Sequence, residues 1–323
     1  MSKEINLVAD IGGTNLRIGQ VPEEGATKDL VVYQCQDYTS LEQIIAEYIE
    51  AYSLKGAKIN ACFAVACPVD KDLIELTNLP WKFSQAALAE EFGFSKLLMI
   101  NDYTAIAHAV PHLSAEQKVK IGGGEPVENY PISICGPGTG LGVANVFPAN
   151  GQWVSVGGEG GHVDFAPIDE QEARIFQHLS QKYQHVSYEQ LLSGLGIEQI
   201  FEAICVIENI EPVVYSAKDI SSKALAKECR YCEQALMQFC RTLGSFAGNL
   251  ALTMSSFGGV YIAGGIVPRF IEYLKTSDFR TRFEEKGRFT RFNQAIPTYV
   301  ITESQPGILG ASAYLRQHNK EES

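Results

Sequence analysis

The chain has 323 residues, 46% of them hydrophobic, which is enough for two domains with proper cores. Its 26 basic and 38 acidic residues form no block of like charge, which excludes the basic stripe that nucleic acid requires; an anionic ligand has to be held by local devices. The eight cysteines (Cys35, Cys62, Cys67, Cys135, Cys205, Cys229, Cys232 and Cys240) are scattered through apolar surroundings in a chain too long to need staples, a pattern of reduced thiols in the cytoplasm.

The start MSKEINLVAD has no basic region followed by a long apolar run, so no secretory signal is expected. Strands are predicted at 5–10 and 16–20, flanking DIGGTN, and describe a hairpin with a small polar tip. Gly12 and Gly13 can adopt positive φ and expose backbone N–H groups, Thr14 adds a hydroxyl, and Asn15 ends the tip. Such a nest binds phosphate oxygens, although a plain hairpin turn uses the same residues. Asp10 repels a phosphate unless a cation lies between, and its hard oxygens suit magnesium, directly or through water. A strand at 30–34, a helix at 40–52, a strand at 60–66 and a helix at 84–92 follow. A strand at 97–101 then leads into a helix at 103–110. Asn101 and Asp102 at that junction can cap the helix; they can also aim a substrate hydroxyl and accept its proton as it attacks phosphorus. PHLSAEQK, from Pro111, reads as a connector.

Strands at 132–135 and 141–147 enclose GPGTGLG and repeat the plan of the first hairpin, which predicts two related lobes. Gly138, Thr139 and Gly140 offer a second phosphate-binding tip, or again only a turn. Neither a P-loop pattern nor a dinucleotide fingerprint occurs at these places. In VGGEGGHVDFAP, Glu159 and His162 sit among four glycines. With Glu189 of HVSYEQLLSG they supply hydroxyl-binding groups and little apolar surface, as a polyhydroxylated substrate requires; a structural histidine and an exposed glutamate are the plainer alternative. Helices are predicted at 170–182, 188–192, 197–208 and 221–255. Cys229-x-x-Cys232 lacks the second pair that a zinc site needs. From Thr242 to Pro268 no residue is charged, and Gly244 and Gly248 have the GxxxG spacing of membrane helix pairs. Asn249, Thr253, Ser255, Ser256 and Gly258-Gly259 interrupt the run, which favours a buried helix and a buried strand at 259–263. In IAGGIVPRF, Gly264 and Gly265 precede a helix at 268–275 and leave room for an adenine or ribose, or cushion a packing contact. A strand at 298–302 precedes GILGASAYLRQH, whose small residues at helical spacing suit packing against the first lobe. Mixed strands and helices with hairpins make the fold class α/β.

DIGGTN, LLMINDYTA, GPGTGLG, GEGGHVDFAP, SYEQLLSGLG and GGVYIAGGIVPRF, in this order, resemble the bacterial glucokinase family over almost the whole chain. The resemblance implies a two-lobed actin-like ATPase (ribonuclease H-like) fold. Its small domain would comprise residues 1–112 plus 303–323 and its large domain residues 113–302, around a cleft that closes on glucose. It implies transfer of the γ-phosphoryl of ATP to the 6-hydroxyl of D-glucose, feeding glycolysis. Asp102 matches the catalytic base, and Asn101, Asp102, Glu159, His162 and Glu189 match sugar contacts. Asp10 matches the magnesium side, through water. Gly12, Gly13, Thr14, Asn15, Gly138, Thr139 and Gly140 match the phosphate side, and Gly264 and Gly265 the adenosine side. A cytoplasmic homodimer with ATP and Mg2+ as cofactors, and without nucleic-acid or membrane partners, is the corresponding expectation. The related repressor, open reading frame and kinase family usually carries a cysteine-rich zinc motif after its Gly-His element. Residues 163–200 hold no cysteine, which disfavours that branch. The rival readings are a kinase for another hexose and a non-enzymatic sugar sensor, the latter without a basic helix-turn-helix region in this sequence.

Overall fold

The computed structural model describes residues 4–22, 25–76 and 78–320. Residues 1–3, the first of the segment in which no secretory signal is expected, lie outside that description, as do 23, 24, 77 and 321–323. The chain folds into two compact units, one formed by residues 1–113, 150–157 and 303–323 and the other by 114–149 and 158–302.

The first unit is built on a mixed sheet in the order Lys28–Gln34, Asn15–Gln20, Glu4–Ile11, Lys58–Val65, Phe94–Asn101. The first three strands are antiparallel neighbours, and Glu4–Ile11, Lys58–Val65 and Phe94–Asn101 run parallel. Period-two alternation assigns the two faces. Leu7, Ala9, Ile11, Ala61, Phe63 and Val65 enter one core, while Val8, Cys62 and Ala64 enter the other. Both faces are covered, which is why these strands read as unbroken apolar runs. Helix Leu41–Ala51 packs Leu41, Ile44, Ile45 and Tyr48 on the first face, at the spacing of one helical stripe. Ile308, Ala311 and Leu315 of helix Pro306–Lys320 seal the second. That helix lies so close to helix Asp102–Ala109 that a Cβ on Gly310 would collide with the Ala105 carbonyl. Strand Gln152–Gly158 joins this unit through Trp153, whose N–H and carbonyl are both held by the Gln317 amide at 3.1 and 3.0 Å.

In the second unit the order is Leu141–Ala149, Ile132–Pro137, Gly259–Ile262, Thr298–Ile301, Lys118–Gly122. Ile132–Pro137 pairs antiparallel with Leu141–Ala149 on one side and parallel with Gly259–Ile262 on the other, as Glu4–Ile11 does with its own neighbours. The repeated hairpin of the sequence is therefore repeated in topology. Helix Arg230–Met254 carries the core, packing on helices Gly194–Ile207, Ala217–Leu225 and Phe279–Glu284. Cβ atoms on Gly244 and Gly248 would strike the carbonyls of Phe279 and Phe283, so the GxxxG spacing admits a neighbouring helix. Among the described residues no helix is long and apolar enough to cross a membrane.

Several elements differ from expectation. The helix expected over 221–255 is two helices, Ala217–Leu225 and Arg230–Met254, broken at Lys227 with φ +57°. The stretch 188–192 forms only the 3-10 turn Tyr188–Gln190, and 268–275 begins as the 3-10 turn Val267–Phe270. Strands Leu73–Glu75, Lys82–Ser84, Lys118–Gly122 and Gln152–Gly158 and helices Phe279–Glu284 and Thr290–Ala295 were not anticipated.

Candidate active site

The first unit gathers Asp10, Asn101 and Asp102 at the carboxyl ends of its parallel strands, where open α/β sheets bind ligands. Asn101 caps helix Asp102–Ala109, its amide oxygen accepting the Tyr103 N–H at 2.9 Å, and its amide nitrogen donates to the Cys67 carbonyl at 3.4 Å. The capping alternative thus holds for Asn101. Asp102 is the first helical residue, and one of its oxygens shares the Tyr103 N–H at 2.9 Å. Burial lifts its pKa to about 6, with the Tyr103 N–H opposing the rise and the nearby Asp10 charge adding to it. Asp102 therefore changes protonation close to neutral pH, where a general base works best.

Asp10 is itself shifted upward by burial, against the pull of Arg17, whose Nη1 is 3.5 Å from Asp10 Oδ2. The two residues face each other across the hairpin, in register. Gly307 leaves the carboxylate its space; a Cβ there would come within 3.0 Å of Oδ1 and Oδ2. A cavity of about 730 Å³ in this unit opens at Glu4, Asn6, Lys28 and Arg316, the opposite end of strand Glu4–Ile11 from Asp10.

The tip after Asp10 corrects one expectation, because neither Gly12 nor Gly13 adopts positive φ. The Gly12 N–H closes the turn on the Asn15 carbonyl at 3.0 Å, and at Gly13 glycine serves for space. A Cβ on Gly13 would lie 2.8 Å from Cβ of Asn78. Cys35 pins the tip, its N–H donating to the Thr14 carbonyl at 2.8 Å and its thiol to the Gly12 carbonyl at 3.6 Å. Gln34 donates to the Asn15 side chain at 2.6 Å, and Thr14 is exposed.

The second unit brings together the remaining residues. Gly138 and Gly140 close the second tip through a 2.8 Å N–H to carbonyl bond, and the Gly194 N–H holds the Gly138 carbonyl at 2.9 Å. Glu189 reaches into this tip: Oε2 accepts the Leu141 N–H at 2.8 Å, while Oε1 lies 3.8 Å from His162 Nε2. A Cβ on Gly140 would sit 2.5 Å from Oε2, so that position must be glycine for the carboxylate to enter. Glu159 and His162 flank a 3-10 turn laid on strand Leu141–Ala149, where Gly160 meets Val143 and Gly161 meets Leu141. Both side chains are exposed.

Gly264 has φ +84° and backs onto the Pro137 carbonyl, a position only glycine fills. Gly265 lines a cavity of about 440 Å³ with Gly138, Thr139, Ile197, Lys218 and Arg269. Lys218 and Arg269 add positive charge to a lining for which the sequence had offered only Gly138, Thr139 and Gly265. Arg17 and Cys35 were also missed. Arg17 was legible, since counting outward from the DIGGTN tip sets it opposite Asp10.

Comparisons with known proteins identify the family. The glucokinase family model matches residues 7–318. A glucokinase of Colwellia psychrerythraea is 58% identical over 318 residues, covering 97% of this chain and 96% of its own. The crystal structure of a glucokinase from an Antarctic psychrotroph superposes with a TM-score of 0.89 at 35% identity, covering 98% of this chain and 99% of that one. A more distant likeness, in fold alone, is to a glucokinase of the repressor, open reading frame and kinase family from Streptomyces griseus, solved with glucose and AMPPNP (TM-score 0.61, 17% identity, 97% and 99% covered). A family model that spans nearly the whole chain and a relative more than half identical over nearly its full length place this chain in the glucokinase family.

Proposed function

We propose that Asp102 is the general base with which this chain performs the reaction of its family, transfer of the γ-phosphoryl group of ATP to the 6-hydroxyl of D-glucose. The observation that carries the reading is the Asp102 carboxyl itself, at a strand end, beside Asp10, with its pKa at about 6. Ionised, it takes the hydroxyl proton as the oxygen attacks phosphorus in line. Asn101 orients the sugar, and Glu159, His162 and Glu189 supply hydroxyl contacts.

The tips Gly12–Asn15 and Gly138–Gly140 hold the triphosphate, and the cavity at Gly265, Lys218 and Arg269 takes the adenosine end. The donor set fits Mg2+: Asp10 offers hard oxygens, and a divalent cation relieves the mutual repulsion of Asp10 and Asp102. Asp10 would hold the ion through water, and the ion would neutralise charge on the phosphate oxygens. An intracellular setting is supported by eight free cysteines. Assembly as a homodimer is carried by family resemblance and is read by light scattering.

Magnesium-dependent ADP release, measured with and without glucose on wild type and Asp102→Asn, tests the assignment. Glucose-dependent release in wild type and its loss in the variant are expected. Undiminished turnover in the variant removes Asp102 from the reaction, and a panel of hexoses reads the substrate.

A further inference from the structure

We infer that Cys229 and Cys232 form a reversible oxidation site, at which a hydroperoxide converts Cys229 to a sulfenic acid and Cys232 resolves it to a disulfide. Cys229 is the N-cap of the 25-residue helix Arg230–Met254, with extended backbone at φ −144° and ψ 111°; Cys232 is its third helical residue. Cys229 is partly exposed, whereas the other seven cysteines are buried and Cys232 is 0% exposed. The two cysteines stand at the start of the same helix, three residues apart, the one at its N-cap and the other within its first turn. Residues three apart on a helix have Cβ atoms about 5–6 Å apart, and the non-helical N-cap lets Cys229 swing across the remaining gap to disulfide distance.

The pair is asymmetric in the way attack and resolution require. Partial burial pushes the Cys229 thiol up, but the N–H and thiol of Cys232, the N–H of Tyr231 and the charge of Lys223 bring it below the ordinary value. Burial first, and then the bond and charge of Cys229, push Cys232 up to about 12, so it remains a thiol. Among the described residues no third ligand completes a metal site here.

The chemistry balances without help from the phosphoryl-transfer site. The Cys229 thiolate attacks one peroxide oxygen, the O–O bond breaks, and the leaving oxygen departs as an alcohol or water after protonation. The Cys232 sulfur then attacks the Cys229 sulfur and displaces hydroxide, which leaves as water with the Cys232 proton. Two thiols and one hydroperoxide become a disulfide, an alcohol and water, and a reducing thiol reverses the step by exchange.

The site has a structural outlet. Cys229 follows the turn, with Lys227 at φ +57°, that joins the long helix to helix Ala217–Leu225. Ala217, Lys218 and Ser221 of that helix line the 440 Å³ cavity. A disulfide at the turn therefore strains the cavity wall. This consequence, unlike the oxidation itself, rests on the reading of the cavity as the nucleotide pocket.

Trypsin cuts after Lys227 and Arg230, so in reduced protein Cys229 and Cys232 fall on separate peptides, 228–230 and 231–241. Wild-type protein treated with hydrogen peroxide, alkylated while denatured and digested, is expected to yield these two peptides joined through Cys232, and to yield them apart after dithiothreitol. Cys232→Ser is expected to leave Cys229 as a sulfenic acid that dimedone captures. Linkage through Cys205 or Cys240 in place of Cys232, or no linkage and no dimedone adduct at Cys229, overturns the assignment. The KM for ATP is expected to rise at least about threefold in oxidised wild type and to stay unchanged in peroxide-treated Cys229→Ser. A disulfide that forms without moving that KM refutes the link to the cavity while leaving the oxidation site standing.

Discussion

Glu189 accepts the backbone N–H of Leu141 at 2.8 Å, a bond that ties the second glycine tip to a residue 48 positions along the chain. The other oxygen of the same carboxylate faces His162. One side chain thus serves the tip and the proposed sugar contact, and two substitutions separate the roles. Glu189→Ala leaves a part-buried N–H unpaired, at about 1–3 kcal/mol, and is expected to lower the melting temperature and raise the KM for both substrates. Glu189→Gln keeps an amide oxygen for Leu141, so its melting temperature should stay near wild type while the glucose KM rises about tenfold. Equal melting temperatures in the two variants would show that the Leu141 bond does not support the tip.

Asp102 makes two predictions of opposite sign. Asp102→Asn should lose about 10²–10⁴-fold in kcat while glucose binding stays within about tenfold. Its effect on stability should be the reverse. The folded-state pKa of about 6 lies above the ordinary 3.8, so between those values the folded protein binds the extra proton. Stability from this group is full below pH 3.8 and is lost as pH rises through about 6, a few kcal/mol at most by pH 7. Asp102→Asn should therefore melt higher than wild type at pH 7, with the gap closing towards pH 4. For the active enzyme, kcat should rise with pH through about 6. Asp10→Asn, which removes a like charge, should move that limb to lower pH.

Gly264 and Gly265 are adjacent but differ in what they tolerate. Gly264→Ala forces a side chain into positive φ and against the Pro137 carbonyl, and should cost on the order of 1–3 kcal/mol, measured by urea unfolding. A Cβ on Gly265 meets nothing within 4 Å. Gly265→Ala should fold as wild type and reveal itself only in the KM for ATP.

Arg282 and Glu172 form a buried ion pair of 2.7 Å, in a network with Gln238 at 2.9 Å and the Ile168 N–H at 2.9 Å on Glu172, and Ser245 at 3.1 Å and the more exposed Asp169 at 3.5 Å on Arg282. Glu172→Ala takes the buried guanidinium's nearest partner and leaves it Asp169 and Glu285 at longer range, and is expected to cost about 2–4 kcal/mol. The double variant Glu172→Met with Arg282→Met should recover most of that loss, because well-packed apolar side chains replace such a pair at little cost. A double variant no more stable than Glu172→Ala would contradict this account of the network.

Local patterns made the hairpins legible. Alternation on both sides of DIGGTN and GPGTGLG, with glycines between, leaves few other conformations. The same patterns did not tell why the glycines are there. Positive φ is a property of the turn itself, but Gly13 is small because Asn78 stands over it, and Gly140 because Glu189 enters beside it. Those are contacts between distant parts of the chain. The break at Lys227 escaped notice for a related reason: no glycine or proline marks it, and the flanking residues suit a helix. Strand Lys118–Gly122, with two lysines on a half-buried edge, lacks the apolar run that betrays a central strand. Asp102 was legible as a residue in a suggestive place, while its raised pKa depends on burial and on Asp10, 92 positions away.

Helix Pro306–Lys320 supplies Ile308, Ala311 and Leu315 to the face formed by Val8, Cys62, Ala64 and Ile100. During translation the amino-terminal strands, and helix Asp102–Ala109 that lends Ala105 to the same face, emerge long before this cover does, and the face stays only partly covered while nearly the whole second unit is synthesised. A nascent chain of this protein thus offers a sticky apolar surface to holding chaperones until the ribosome has delivered the closing helix. Shortening the chain before Pro306 would leave that surface permanently uncovered and turn an assembly intermediate into an aggregating product.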